Sequence, residues 1–81
     1  MIDKEAFRAR LARHARVEEV KDDDVLFGDG LNIGSLRFTE FIMEVEDEHG
    51  IDVDPDALDA GIRTVGQLHA AIDAIARESA S

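Results

Sequence analysis

The chain has no cysteine, which removes disulfides and thiolate metal sites together and leaves helix packing to hold the fold. No apolar run reaches the length of a membrane span, and Met1-Ile2-Asp3-Lys4-Glu5 is charged where a signal peptide needs an apolar stretch. The expectation is a soluble, unprocessed, cytoplasmic chain that meets no membrane. Basic residues are scarce, nine Lys and Arg against nineteen Asp and Glu for a net charge of −10. That excludes a nucleic-acid surface, because phosphate contacts need clustered cations. No stretch alternates cleanly enough for a strand, and no internal repeat is visible. At 81 residues the chain forms one domain, 1–81, whose modest core leaves little room for an enclosed active site. A binding or carrier module is expected rather than an enzyme.

The charge that is present is segregated. Lys4, Arg8, Arg10, Arg13 and Arg16 lie in the first 16 positions, whereas positions 17 to 59 hold fifteen acids against Lys21 and Arg37. Such a field speeds encounter with basic partner surfaces and keeps a small protein soluble.

Periodicity predicts an all-α chain. Asp3 is a candidate N-cap for a first helix to about Arg16, with Phe7, Leu11 and Ala15 on one face. A long connection, roughly 17–34, follows; loops of this length are usually functional, and Val25, Leu26, Phe27, Leu31 and Ile33 are expected to pin it. A second helix should run from Ser35 or Leu36 to His49 and stop at Gly50. Its core face is predicted to be Phe38, Phe41, Ile42, Val45 and His49. On the opposite face Leu36, Glu40, Met43 and Asp47 recur at intervals of four, three and four, flanked by Arg37, Glu44 and Glu46. Apolar side chains set among acids make a docking stripe, with contact supplying affinity and charge supplying orientation. Like charges along its edges favour a monomer. Asp54-Pro55 opens a short third helix that ends at Gly61, and Thr64 with Gln67 forms a capping box for the last helix, with Val65, Leu68, Ile72 and Ile75 on one face. Positions 77–81 read as a frayed tail.

Most candidate sites fail on chemistry. Asp52-x-Asp54-x-Asp56 imitates a calcium loop, but Ala57 stands where the turn needs glycine and Arg63 where a bidentate glutamate belongs. His14, His49 and His69 lack metal-ligand spacing, so no metal is expected. Gly28-x-Gly30 with Gly34 has neither a preceding strand nor a Gly-Lys-Ser or Gly-Lys-Thr, and the nucleophile elbow Gly-x-Ser-x-Gly is absent. Ser35 remains. A serine at a helix start is ordinarily an N-cap, yet a phosphodiester on its oxygen would meet free amide hydrogens and the positive end of the helix dipole.

The ordered set of Leu26-Phe27, Gly30-Leu31, Ser35-Leu36, the run Glu46-Asp47-Glu48-His49-Gly50-Ile51-Asp52-Val53 and Thr64-Val65-Gly66-Gln67-Leu68 resembles the acyl and peptidyl carrier proteins over nearly the whole chain. The resemblance implies a small four-helix bundle of three main helices and a short third. It makes Ser35 the attachment site of a 4′-phosphopantetheine arm from coenzyme A. It also makes Leu36, Arg37, Glu40, Met43, Glu44 and Asp47 the docking face for partners with basic patches. Those partners would be a phosphopantetheinyl transferase, an acyl- or aminoacyl-loading ligase and acyltransferase or synthase enzymes. Three departures mark a specialised member: Gly34 where an aspartate is common, Arg37 where an acid is frequent, and His49 in place of a large apolar residue. Phe7, Phe27, Phe38 and Phe41 are expected to fill much of the bundle, which favours a short or polar cargo. The competing expectation is an unmodified acidic helical interaction domain that has lost the arm.

Overall fold

The computed structural model describes residues 2–27, 30–53 and 61–80. They form three helices, α1 (Lys4–Ala15), α2 (Ser35–His49) and α3 (Val65–Ala80). There are no strands among the described residues beyond an isolated bridge between Val25 and Thr64. The short helix expected after Asp54-Pro55 lies outside the described residues.

Each helix boundary has a chemical cause. The Asp3 carboxylate accepts the Ala6 N–H at 3.0 Å and caps α1, satisfying one of the orphan donors of the first turn. Gly50 closes α2 in the left-handed region at φ 63, a conformation that costs glycine no side-chain clash. Thr64 Oγ1 accepts from Gln67 N–H while Gln67 Oε1 accepts from Thr64 N–H, the reciprocal box that starts α3.

The core joins all three helices to the long connection. Phe7, Leu11 and Ala12 of α1, Phe41, Ile42 and Val45 of α2, and Val65, Leu68 and Ile72 of α3 are buried together with Val20, Leu26 and Ile33. Phe7 and Phe41 meet edge to face at 5.1 Å, a geometry that suits the aromatic quadrupoles. Two expectations for the core faces need correction. His49 is exposed rather than buried: it lies in the last turn of α2, where it borders a recess with Ala6, Phe7 and Arg10 of α1 rather than filling it. In α1 it is Ala12, not Ala15, that completes the buried face. The connection is pinned by Leu26 and Ile33, while Val25 and Phe27 stay about two-fifths exposed.

The N-terminal strap and the end of α3 stabilise one another. Asp73 accepts the Ile2 N–H at 2.9 Å and His69 Nε2 donates to the Ile2 carbonyl at 2.9 Å. Arg77 pairs with Asp73 one turn away, and Ile75 and Ala76 pack on the core. The helix itself is described through Ala80. The Ile2 N–H bond holds the Asp73 carboxyl below its ordinary range against the opposing effect of burial, with Arg77 and His69 adding attraction. A depressed carboxylate stabilises the fold above its unfolded pKa and loses that contribution as pH falls through the folded value. The melting temperature should therefore fall as pH is lowered below about 4. Asp73→Asn should have the lower melting temperature at pH 7 and a shallower decline in acid. A pH series of thermal melts checks both.

Candidate functional site

The site is built on the N-terminal half of α2, and the connection from residue 17 to residue 34 delivers it. That connection is fixed by backbone bonds to the start of α3: Leu26 N–H to the Arg63 carbonyl at 2.8 Å, Val65 N–H to Asp24 at 2.9 Å and Gly66 N–H to Asp22 at 2.8 Å. Within it, Leu31 N–H donates to the Val25 carbonyl at 2.7 Å and Ile33 N–H to Leu26 at 3.1 Å. This tight return explains Gly30. A Cβ there would sit 2.0 Å from the Val25 oxygen, so the glycine serves close backbone approach rather than an anion. Lys4 and Arg8 both reach Asp22 and tie α1 to the same segment. The Lys4 bond leads the effects that hold the Asp22 carboxyl below its ordinary range.

Ser35 is the first residue of α2, behind Gly34 as N-cap, and no side chain caps the helix. Gly34 has φ −71 and ψ 155, ordinary extended backbone, and an added Cβ would meet nothing within 4 Å. Glycine here is therefore a choice of chemistry and not of sterics. No acid occupies the first turn, so α2 itself supplies no carboxylate against the positive end of its dipole. Open space at Gly34 and an uncapped helix start fit a phosphodiester at position 35.

Beyond this start α2 carries the predicted stripe. Leu36 is 72% and Met43 60% exposed, and Glu40 and Asp47 are exposed beside them. Met43, Glu40 and Asp47 also border a groove whose other wall is Ile51 and Asp52. Glu46 is turned to structure, accepting the Val53 N–H at 2.8 Å. On the other edge of the exposed face Phe27 packs against Phe38 at 5.4 Å.

Glu44 stands apart from the other stripe residues. One oxygen accepts from Arg10 Nη1 at 3.0 Å and the other lies 2.7 Å from His14 Nε2. Arg10 also reaches Glu48, and the His14 ring stands edge-on to Phe41 at 5.9 Å. Burial raises the Glu44 carboxyl, but the bonds and charges of His14 and Arg10 outweigh it and hold the group below its ordinary range. Sequence spacing missed this brace. The available signal was Arg10 and His14 at i and i+4, which share one face of α1.

Among the described residues no helix is long and apolar enough to cross a membrane, and no cluster of three His, Cys, Asp or Glu is placed to hold a metal. The family described as Phosphopantetheine attachment site matches residues 5–72, from the first turn of α1 into α3. An acyl carrier protein of Rhodococcus erythropolis (strain PR4 / NBRC 100887) is 42% identical over 57 residues, which cover 70% of this chain and 62% of that protein. The chain thus spans less than two thirds of that relative's length. No solved structure matches.

Proposed function

The chain belongs to the phosphopantetheine-attachment family of carrier proteins, and from that premise we propose that it is a discrete carrier. It holds acyl or aminoacyl intermediates on an arm borne by Ser35 and presents them to partner enzymes. Its cofactor is covalently attached 4′-phosphopantetheine, which supplies a thiol that takes the cargo as a thioester. The observation that carries the assignment of Ser35 is its place at an uncapped helix start behind a glycine with open space around it. The chain stabilises no transition state of its own: α2 orients the attachment point and offers the contact surface, while partners perform the chemistry. Delivery then depends on effective concentration and not on free diffusion. Intact mass after incubation with coenzyme A and a broad-specificity phosphopantetheinyl transferase tests this reading.

Leu36, Glu40, Met43 and Asp47 form the docking face, with Arg37 at its edge. The partners are the transferase, a loading ligase and acyltransferase or synthase enzymes bearing basic patches. A location in the cytoplasm, a monomeric state and a short or polar cargo, an amino acid or a short acyl group, complete the proposal. Phe41 fully buried against Phe7 supports the small cargo by occupying the centre of the helix packing.

The brace on Glu44 divides the acids into two groups. Glu40→Gln should raise the KM for transferase loading and weaken its dependence on salt, because it removes an exposed steering charge. Glu44→Gln should lower the melting temperature, with a smaller change in KM, because its carboxylate is engaged by α1. Leu36→Ala should raise KM by about fivefold, as for truncation of an apolar contact worth roughly 1 kcal/mol. Loading kinetics and thermal melts on the same three variants check the division. An unmodified acidic interaction domain would instead show a folded protein with no change in mass.

A further inference from the structure

We propose that the recess between α1 and the first half of α2 recognises a free carboxylate on the cargo, with Arg13 and Arg37 supplying the cations. This rests on the carrier reading above and narrows its cargo to acyl groups ending in a carboxylate. The recess, about 250 Å³, is lined by Arg13, His14, Arg37 and Glu44. Glu44 turns its two oxygens to Arg10 and His14 and makes no ion pair with Arg13 or Arg37. Neither Arg13 nor Arg37 has an ion-pair partner among the described residues. Among the residues lining the recess, Arg13 and Arg37 stand against Glu44 alone, and positive charge is in excess even with His14 neutral.

That sign runs against the rest of the molecule. In a chain of net charge −10 two exposed guanidiniums drawn to one recess do nothing for solubility, and they disfavour the basic surfaces that the neighbouring stripe suits. A planar guanidinium fork matches a carboxylate with two parallel hydrogen bonds. The recess has room for a carboxylate with a few methylenes.

Reach permits it. Position 35 and Glu44, the far wall, are nine residues apart on α2, about 14 Å along the axis. The arm, with its two amide groups, is comparable in length to roughly five extended residues, about 17 Å.

The experiment compares two four-carbon cargoes that differ at their end. A broad-specificity phosphopantetheinyl transferase loads the chain to completion from succinyl-coenzyme A or from butyryl-coenzyme A, as judged by intact mass, and the arginine Nε–Hε resonances are recorded by NMR. The shifts at Arg13 and Arg37 should be at least twice as large in the succinyl form as in the butyryl form, and 0.5 M salt or Arg13→Gln should erase the difference. Equal shifts in the two forms overturn the proposal. An equal response of the apo chain to inorganic phosphate also overturns it, and leaves an adventitious ion only. Shifts that arise only when excess transferase is present assign the arginines to a carboxylate on a partner protein, again overturning cargo recognition. Failure to load shows in the mass before any resonance is read; it overturns the carrier reading and this inference with it.

Discussion

Ser35→Ala should abolish the gain of one phosphopantetheine mass that wild type shows after incubation with coenzyme A and a broad-specificity transferase. The loss is expected to be complete, because no other hydroxyl in the described chain stands at an uncapped helix start with open space behind it. Thr64, the nearest analogue, has its hydroxyl committed to the Gln67 N–H. The variant should also fold. Ser35 is the first helical residue and Gly34 is the N-cap, so the substitution removes no cap and places alanine, the best helix former, in α2. A change within about 0.5 kcal/mol is expected. Matched circular dichroism and thermal melts then separate loss of the attachment atom from loss of the fold. A wild type that folds but gains no mass would instead favour the domain without an arm.

Helix boundaries in this chain were legible where a short-range rule governs them: Asp3 as cap, Gly50 as stop and the Thr64–Gln67 box all involve residues within one turn of each other. The exposed stripe was legible for the same reason, because the 3.6-residue period alone places Leu36 and Met43 opposite Phe41 and Val45. What escaped the sequence depends on contacts distant along the chain. The bonds from Asp22, Asp24 and Leu26 to residues 63–66 link main-chain atoms and leave no residue signature, so the connection read as a loop held by its apolar side chains alone. Gly30 read as a weak phosphate cradle because its steric partner, the Val25 carbonyl, is set by that same return. The link from Glu44 to α1 was not legible because nothing local marks which carboxylate α1 will reach. The period of α2 placed His49 near the core face, but a period does not show that the residue borders a recess beside α1 without filling it.

Phe41→Ala should be the most damaging single substitution in the core. Phe41 is fully buried, and it meets Phe7 at 5.1 Å and His14 at 5.9 Å. Truncation forfeits the transfer free energy of the ring and leaves a cavity that the surrounding helices fill only in part, about 3–5 kcal/mol. An 81-residue domain has a total stability of roughly 4–12 kcal/mol on the usual per-residue scale. The variant should therefore lose a large share of its stability, and all of it at the low end of that range, seen as a urea transition at much lower denaturant than that of wild type. Phe41→Leu, which keeps most of the volume, should cost less than about 1.5 kcal/mol. Phe38→Ala should fall between the two, since that side chain is only half-buried against Phe27. A Phe41→Ala transition as late as that of wild type would contradict the burial on which this ranking rests. The functional consequence follows from the same contacts. Phe41 lies beneath the His14 ring that holds Glu44, so loosening it releases the α1 brace on the docking helix. Phe41→Leu should accordingly load with a KM close to wild type, whereas Phe41→Ala should load slowly even at temperatures where it is still helical.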